Sequence, residues 1–241
     1  MFKNYLKTAI RNLWRYKGFA FINILSLTIG IIGCLVIALF VWDEKKFDTS
    51  IPDAENIYRL YEQRNDNNVV SYAPCVPPAL ATFLKHEYPE VSATARILMS
   101  NDKFLIENGE KKGYEDKGLL VDSTFFQIFP LKFLSGGAAS ALKDSGSIII
   151  SEDLAKRYFG NAHPVGQILK VDKANMVVKG VLAQLPSHFH LNFHYLMSLS
   201  SAGIPKDRME RWTWHQFYSY VKLKPGTDIR QLQAKFQAHV K

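Results

Sequence analysis

The hydrophobic and polar positions of this 241-residue chain fall into three regimes. In the first, Phe2, Leu6, Ala9, Ile10 and Leu13 recur at the spacing of one helix face, while Lys3, Lys7, Arg11 and Arg15 stand four apart on one stripe. This pattern predicts an amphipathic helix over residues 1–17, suited to the anionic inner surface of a membrane. The second regime is FAFINILSLTIGIIGCLVIALFVW, Phe19–Trp42, which is 24 residues without a charge. As a helix it would be about 36 Å long, enough to cross a bilayer with some tilt. A cleaved signal sequence has a shorter apolar run ending at a small-x-small site; this run is longer and ends in VWDEKKFD. Residues 18–42 are therefore expected to be a retained transmembrane helix. Within it Ser26, Gly30 and Cys34 fall at i, i+4 and i+8, a small-residue face that would let a second helix approach closely.

From residue 43 onward the pattern shortens and mixes. NIYRLYEQ alternates as a strand does, and PPALATFLKHEYPEV opens on prolines, keeps helical spacing and stops at Pro89. ATARILMS and KFLIENGEKKGYEDKGLLVD predict strands with a hairpin turn at Asn108-Gly109. STFFQIF is a short helix opened by Ser123. GSIIIS, QILKVD, NMVVKGVLAQLP, FHYLMSLS and TWHQFYSYVKL read as strands, and a final helix begins at Asp228. Between GSIIIS and QILKVD, Ser151 can cap a helix whose Glu152 and Asp153 lie in the first turn and Lys156 and Arg157 in the last. Gly160 and Pro164 would close it. The fold class expected is α+β: an amphipathic helix, one transmembrane helix, and a mixed α/β domain over residues 43–241.

Charge sharpens the topology. The chain is +8 overall. Residues 1–18 carry five basic side chains and no acid, and the other residues are nearly balanced, with 25 basic and 22 acidic. A nucleic-acid-binding domain would carry the excess as a patch on its folded part, so no nucleic-acid partner is expected. The positive-inside rule places the N-terminus in the cytoplasm and residues 43–241 outside. Cys34 falls in the span and Cys75 in the outer region, so they are not expected to pair, and the outer domain must be stable through its apolar core.

Candidate chemistry is sparse. LSGG, Leu134–Gly137, has the letters of an ATPase signature loop. Such a loop acts only with the phosphate loop G-x-x-x-x-G-K-[ST], which is missing, and a glycine-rich surface turn is expected instead. His188, His190 and His194 would share a face if they lay on a strand, making them a weak candidate for a metal site, with Phe189, Leu191 and Phe193 as the packed face. No acidic residue nearby supports them. HEYPE is not H-E-x-x-H, there is no G-x-S-x-G, and Cys75 lacks an evident base. No catalytic residue, cofactor or enzymatic activity is expected.

Four ordered motifs carry a family resemblance. YLKTAIRNLWRYKGFAFINILSLTIGI, FDTSIPDAENIYRLYE, SEDLAKRYFGNAHPVGQIL and VVKGVLAQLPSHFHLNF together resemble the N-terminal part of MacB/FtsX-like ABC transporter permeases. His163 stands where members often have Asp, and Phe189 where they often have Ser. His190 matches the motif histidine; His188 and His194 do not belong to the pattern. The resemblance implies a MacB-like extracytoplasmic core domain, a separate cytoplasmic ABC ATPase, a second permease copy or half, and motion of the outer domain that exports or releases a substrate. Such permeases carry at least three further transmembrane helices, so the resemblance also implies that the chain is a truncated piece with its outer domain incomplete at the C-terminus. The competing reading from the residues alone is a single-span sensor or ligand-binding protein; a membrane-anchored enzyme would require the histidines to hold a metal.

Overall fold

The structure is a computed structural model that describes residues 2–99, 103–139 and 141–239, without the side chains of Phe2, Lys3, Leu6 and residues 237–239. The chain divides into two compact units, Met1–Thr49 and Ser50–Lys241.

The first unit is two helices, α1 (Phe2–Arg15) and α2 (Lys17–Glu44), separated by Tyr16 at φ −115°, ψ 55°. The polar stripe and apolar face of α1 follow the predicted periodicity. In α2 the apolar residues occupy every face and none is buried. With 28 residues and an 18-residue stretch of mean hydropathy 2.8, it is long and apolar enough to cross a membrane.

In the second unit the elements are β1 (Ile57–Arg59), β2 (Glu62–Asp66), β3 (Val69–Ala73), α3 (Pro78–Glu87), β4 (Val91–Met99), β5 (Phe104–Asn108), β6 (Lys111–Glu115), β7 (Gly118–Val121), α4 (Phe125–Ile128), β8 (Phe133–Gly136), β9 (Ser147–Ser151), α5 (Glu152–Phe159), β10 (Ile168–Val171), β11 (Ala174–Leu182), β12 (Tyr195–Ser198), α6 (Lys206–Met209), β13 (Phe217–Leu223) and α7 (Ile229–His239). Eleven strands form one sheet in the order β1-β13-β4-β7-β12-β9-β11-β10-β5-β6, with β8 also pairing β11. Most neighbours are antiparallel; β7 with β12 and β9 with β11 are parallel.

Alternation along the strands sends side chains to two covered faces. On one face Ile97, Leu119, Ile149 and Leu196 meet Phe125 and Phe129 of the α4 region and Phe189, Leu191 and Phe193 of the loop before β12. On the other, Ile148, Ile150, Tyr195, Met197 and Val178 meet Leu154, Tyr158 and Phe159 of α5. Towards β13, a third cluster joins Leu80 and Leu84 of α3 to Val221, Leu223 and Leu232 of α7.

Several local expectations are corrected. LSGG does not form a surface turn, because Leu134–Gly136 belong to β8, which pairs β11 antiparallel. A Cβ on Gly136 would lie 2.3 Å from the Lys179 carbonyl oxygen, so glycine is what allows that strand to approach. NIYRLYEQ is not one strand: it splits into β1 on the large sheet and the start of β2 in a separate two-stranded sheet. The hairpin turn after β5 falls on Gly109 and Glu110, one residue later than expected, with Gly109 at φ +60°. Helix α4 starts after Thr124 rather than Ser123. The corner at residues 151–169 forms the strand, capped helix and strand expected, but Gly160 does not take the left-handed cap. The Ser151 hydroxyl accepts from the Leu154 N–H at 3.3 Å, and Gly160 ends α5 at φ 62°, ψ −118°, a positive φ outside the left-handed helical well.

Candidate functional site

The residues singled out on α1 and α2 sit in the first unit. Lys7, Arg11 and Arg15 are exposed along α1; the side chain of Lys3 lies outside the described residues. Ser26, Gly30 and Cys34 line one stripe of α2, all exposed, and beyond its chain neighbours and the local helix backbone nothing lies within 4 Å of a Cβ built on Gly30. Both ends of α2 also carry aromatic–cation pairs that the sequence reading passed over. The Lys17 ammonium stands 5.3 Å from the Trp14 ring, the Arg15 guanidinium 5.9 Å from Tyr16, and Lys46 4.6 Å from Trp42. Trp and Tyr at the ends of an apolar span are the residues that settle at a membrane–water interface, and the position of Trp14 and Tyr16 before Phe19–Trp42 and of Trp42 at its end was the available signal.

The three histidines do not converge. Residues 187–194 are not on a strand, since β12 begins at Tyr195, so the shared face on which the metal reading depended does not form. His188 Nδ1 lies 3.0 Å from the Ser187 hydroxyl. His190 Nε2 lies 2.8 Å from the Tyr220 hydroxyl, and its ring packs against Phe129 and Phe189. His194 Nδ1 lies 3.8 Å from Asp116. Among the described residues no group of three His, Cys, Asp or Glu side chains could hold a metal ion. Phe189, Leu191 and Phe193 are buried, so the segment's apolar residues serve the core.

Polar residues of the 151–169 corner have structural partners. The Arg157 Nη1 meets Glu115 Oε1 at 2.5 Å, and the Tyr158 hydroxyl donates to the same oxygen at 2.8 Å. Glu115 is 5% exposed, so this carboxylate is buried with two donors. Burial, followed by the Glu115 contact, pushes the Tyr158 phenol well above its ordinary value, and burial does the same to Tyr195.

One concavity interrupts the α5-side face of the sheet. Leu98 of β4, Leu120 of β7, Met197 of β12 and Met176 of β11 form its floor, and the segment carrying Ile204, Arg208 and Trp214 forms a wall. The cleft holds about 790 Å³, within the range of ligand sites. Its methionines are deformable and apolar. At the rim the Arg208 guanidinium lies 4.1 Å from the Trp214 ring centroid, and the Ser201 hydroxyl accepts from the Gly146 N–H at 2.8 Å. These groups can bind an apolar surface; none is placed as a nucleophile beside a base.

A second feature stands apart from the sheet. β1 runs antiparallel to β13, with Arg59 opposite Tyr220, and the Leu60 N–H donates to the Ser219 carbonyl. Continuing that register, residue 62 would face Phe217; Val76 occupies the place instead. Residues 62–75 therefore leave the edge strand and return to it. The excursion contains the hairpin β2–β3, turned by Asn67 and Asn68 at φ 48° and 66°, the double positive-φ geometry of a two-residue type I′ turn. At its root Glu62 Oε2 lies 2.9 Å from Arg64 and 2.7 Å from His215, and the Arg64 hydrogen bond holds the Glu62 carboxyl below its ordinary value. Tyr61, Val69, Val70 and Tyr72 are exposed along this arm.

With that geometry in place, comparison with known proteins is direct. The model of the MacB-like periplasmic core domain matches residues 20–239. No curated protein matches the chain. Among solved structures, a domain described as part of a permease protein from Porphyromonas gingivalis is 21% identical, with a TM-score of 0.68 over 79% of this chain and 82% of that one. The periplasmic region of MacB from Actinobacillus actinomycetemcomitans is 14% identical, with a TM-score of 0.52 over 69% of this chain and 73% of that one. The extracellular domain of the ABC-type transporter YknZ from Gram-positive bacteria is 15% identical, with a TM-score of 0.51 over 74% of this chain and 88% of that one. At these identities the structures establish a shared fold; the family model spans most of the chain, including most of α2. The chain belongs to the family of the MacB-like periplasmic core domain, found in ABC transporter permeases.

Proposed function

We propose that the chain is the N-terminal part of the permease subunit of an ABC transporter in the bacterial inner membrane. Residues 1–17 lie along the cytoplasmic surface, 18–42 cross the bilayer, and 43–241 form the extracytoplasmic domain. A separate cytoplasmic ATPase hydrolyses ATP, and the membrane helices of two permease copies or halves pass the resulting motion to the outer domains, which export or release a substrate. The basic stripe Lys3, Lys7, Arg11 and Arg15 holds α1 at anionic headgroups, about 1 kcal/mol per residue near the surface. Ser26, Gly30 and Cys34 give α2 a face for close packing against another membrane helix.

The observation that carries this reading is the family match running from within α2 through the outer domain, joined to an apolar helix with no buried residue. The test is purification from native membranes with any bound ATPase identified by mass spectrometry, followed by ATPase assays in lipid nanodiscs. The expected result is a stable complex whose ATP turnover changes when the permease is present; a chain that co-purifies with no ATPase and leaves its turnover unchanged would contradict the proposal.

A further inference from the structure

The β2–β3 arm makes no use of its exposed apolar residues within the fold. Its two strands form a sheet of their own, and among the described residues no third strand covers either edge. Tyr61 and Tyr72 meet edge-to-face at 5.4 Å, so with Val70 they share one face of the hairpin. Two-stranded sheets are marginal in water and open edges invite pairing.

The edges differ in charge. β2 reads Glu62-Gln63-Arg64-Asn65-Asp66, and β3 reads Val69-Val70-Ser71-Tyr72-Ala73, without a charge. Charged residues on an edge are a common guard against pairing with another copy. If two β2 strands paired about a two-fold axis at Arg64, Arg64 would face its own copy and Glu62 would face Asp66, all like charges. β3 has no such guard.

The hydrogen-bond phase of β3 also fits. The two-residue turn makes Asp66 and Val69 the closing hydrogen-bonded pair, so along β3 Ser71 turns its backbone groups towards β2 and Val70 and Tyr72 turn theirs outward. An antiparallel pair of β3 strands centred on Ser71 sets Val70 opposite the second copy's Tyr72, twice. Each pair exchanges both backbone hydrogen bonds, and β-branched–aromatic pairs are favoured across strands. Centring on Tyr72 would set Val70 opposite Pro74, which has no N–H to give. In the Ser71 register Val70, Tyr72 and Tyr61 of both copies fall on one face of a four-stranded sheet.

We infer that the arm is a two-fold docking strand that joins the outer domains of two copies of this chain, β3 to β3, centred on Ser71. This rests on the proposed pairing of two permease copies and specifies where their extracytoplasmic parts meet.

The experiment is disulfide trapping of the whole chain in membranes, with Cys34 and Cys75 replaced by alanine. In the inferred register Ser71 faces Ser71 as a non-hydrogen-bonded pair, with Cα atoms about 4.5 Å apart, within disulfide reach. Ser71→Cys should give a disulfide-linked dimer under mild oxidation, and Gln63→Cys on β2 at least tenfold less. Adding Val70→Pro removes an outward N–H without touching a bond to β2, and should lower the Ser71→Cys cross-link at least tenfold. Dimer content is measured independently by mass photometry after extraction into nanodiscs. A dimer there without the Ser71 link, a Gln63 link of equal strength, or a cross-link indifferent to Val70→Pro overturns the arm inference and leaves the permease pairing standing. No dimer by either measurement overturns both.

Discussion

Two apolar runs in this chain end in opposite surroundings. Phe19–Trp42 forms most of α2, and none of it is buried. Ser147–Ile150 forms most of β9, and every residue is buried between α5 and the α4 face. Both are rich in isoleucine, and length separates them. A four-residue strand spans about 13 Å and reaches covered faces on both sides of a sheet. A 28-residue helix spans about 42 Å, and its 24 uncharged residues, about 36 Å, are long enough to cross the roughly 30 Å hydrocarbon core of a bilayer with some tilt. The second unit instead resolves its apolar content into short segments whose faces are covered by neighbours within the same unit.

The comparison breaks first at α2. Replacing Ile32 and Val36 with arginine adds about 2.5–3.5 kcal/mol each to insertion at the helix centre. The chain should move from the carbonate-resistant membrane fraction to the soluble fraction, with the outer domain's circular dichroism retained. In the outer unit the largest loss should come from Phe125→Ala. Phe125 is fully buried and touches Phe126, Phe129 and Phe193, so about 3–5 kcal/mol of stability should disappear in denaturant titrations while membrane insertion stays unchanged.

Alkaline pH should act on the same unit less strongly. Tyr158 and Tyr195 have raised values in the fold, so between about pH 10 and their folded values they stay protonated when folded and ionise when unfolded. Their contribution is complete below about pH 10 and is withdrawn as pH rises, amounting to about 3 kcal/mol for the pair at pH 11. Urea midpoints measured from pH 8 to 11 should fall accordingly, and Tyr158→Phe should flatten the slope. The smallest effect should be that of Ser151→Ala. It removes the cap of α5 and costs about 1 kcal/mol, visible as a lower thermal midpoint with the sheet intact.

Legibility follows the same division. The long apolar helix α2 was readable from its uncharged length alone; α3, the strands from β4 to β13 other than β8, and the capped corner at 151–169 were readable because most bury a patterned face or carry their own cap. β8 was not: its four residues pair through a close approach of Gly136 to Lys179, a contact visible only after folding. The β2–β3 arm was hidden because neither of its faces enters the core, leaving EQRND without alternation, and Asn67-Asn68 is a weaker turn signal than Asn-Gly. The histidines misled for the opposite reason. Their spacing fits a strand, but Phe189, Leu191 and Phe193 are drawn into the core from an irregular segment. The cleft depends on four strands and a distant segment meeting, and no local pattern announces it.

The central claim is that one span separates a cytoplasmic N-terminus from an extracytoplasmic sheet domain. Single cysteines at Asn12 and Asn161, both exposed, test it in a background lacking Cys34 and Cys75. In intact spheroplasts a membrane-impermeant maleimide should label Asn161→Cys at once and Asn12→Cys only after the membrane is permeabilised. Labelling of Asn12→Cys in sealed spheroplasts, or protection of Asn161→Cys, would contradict it.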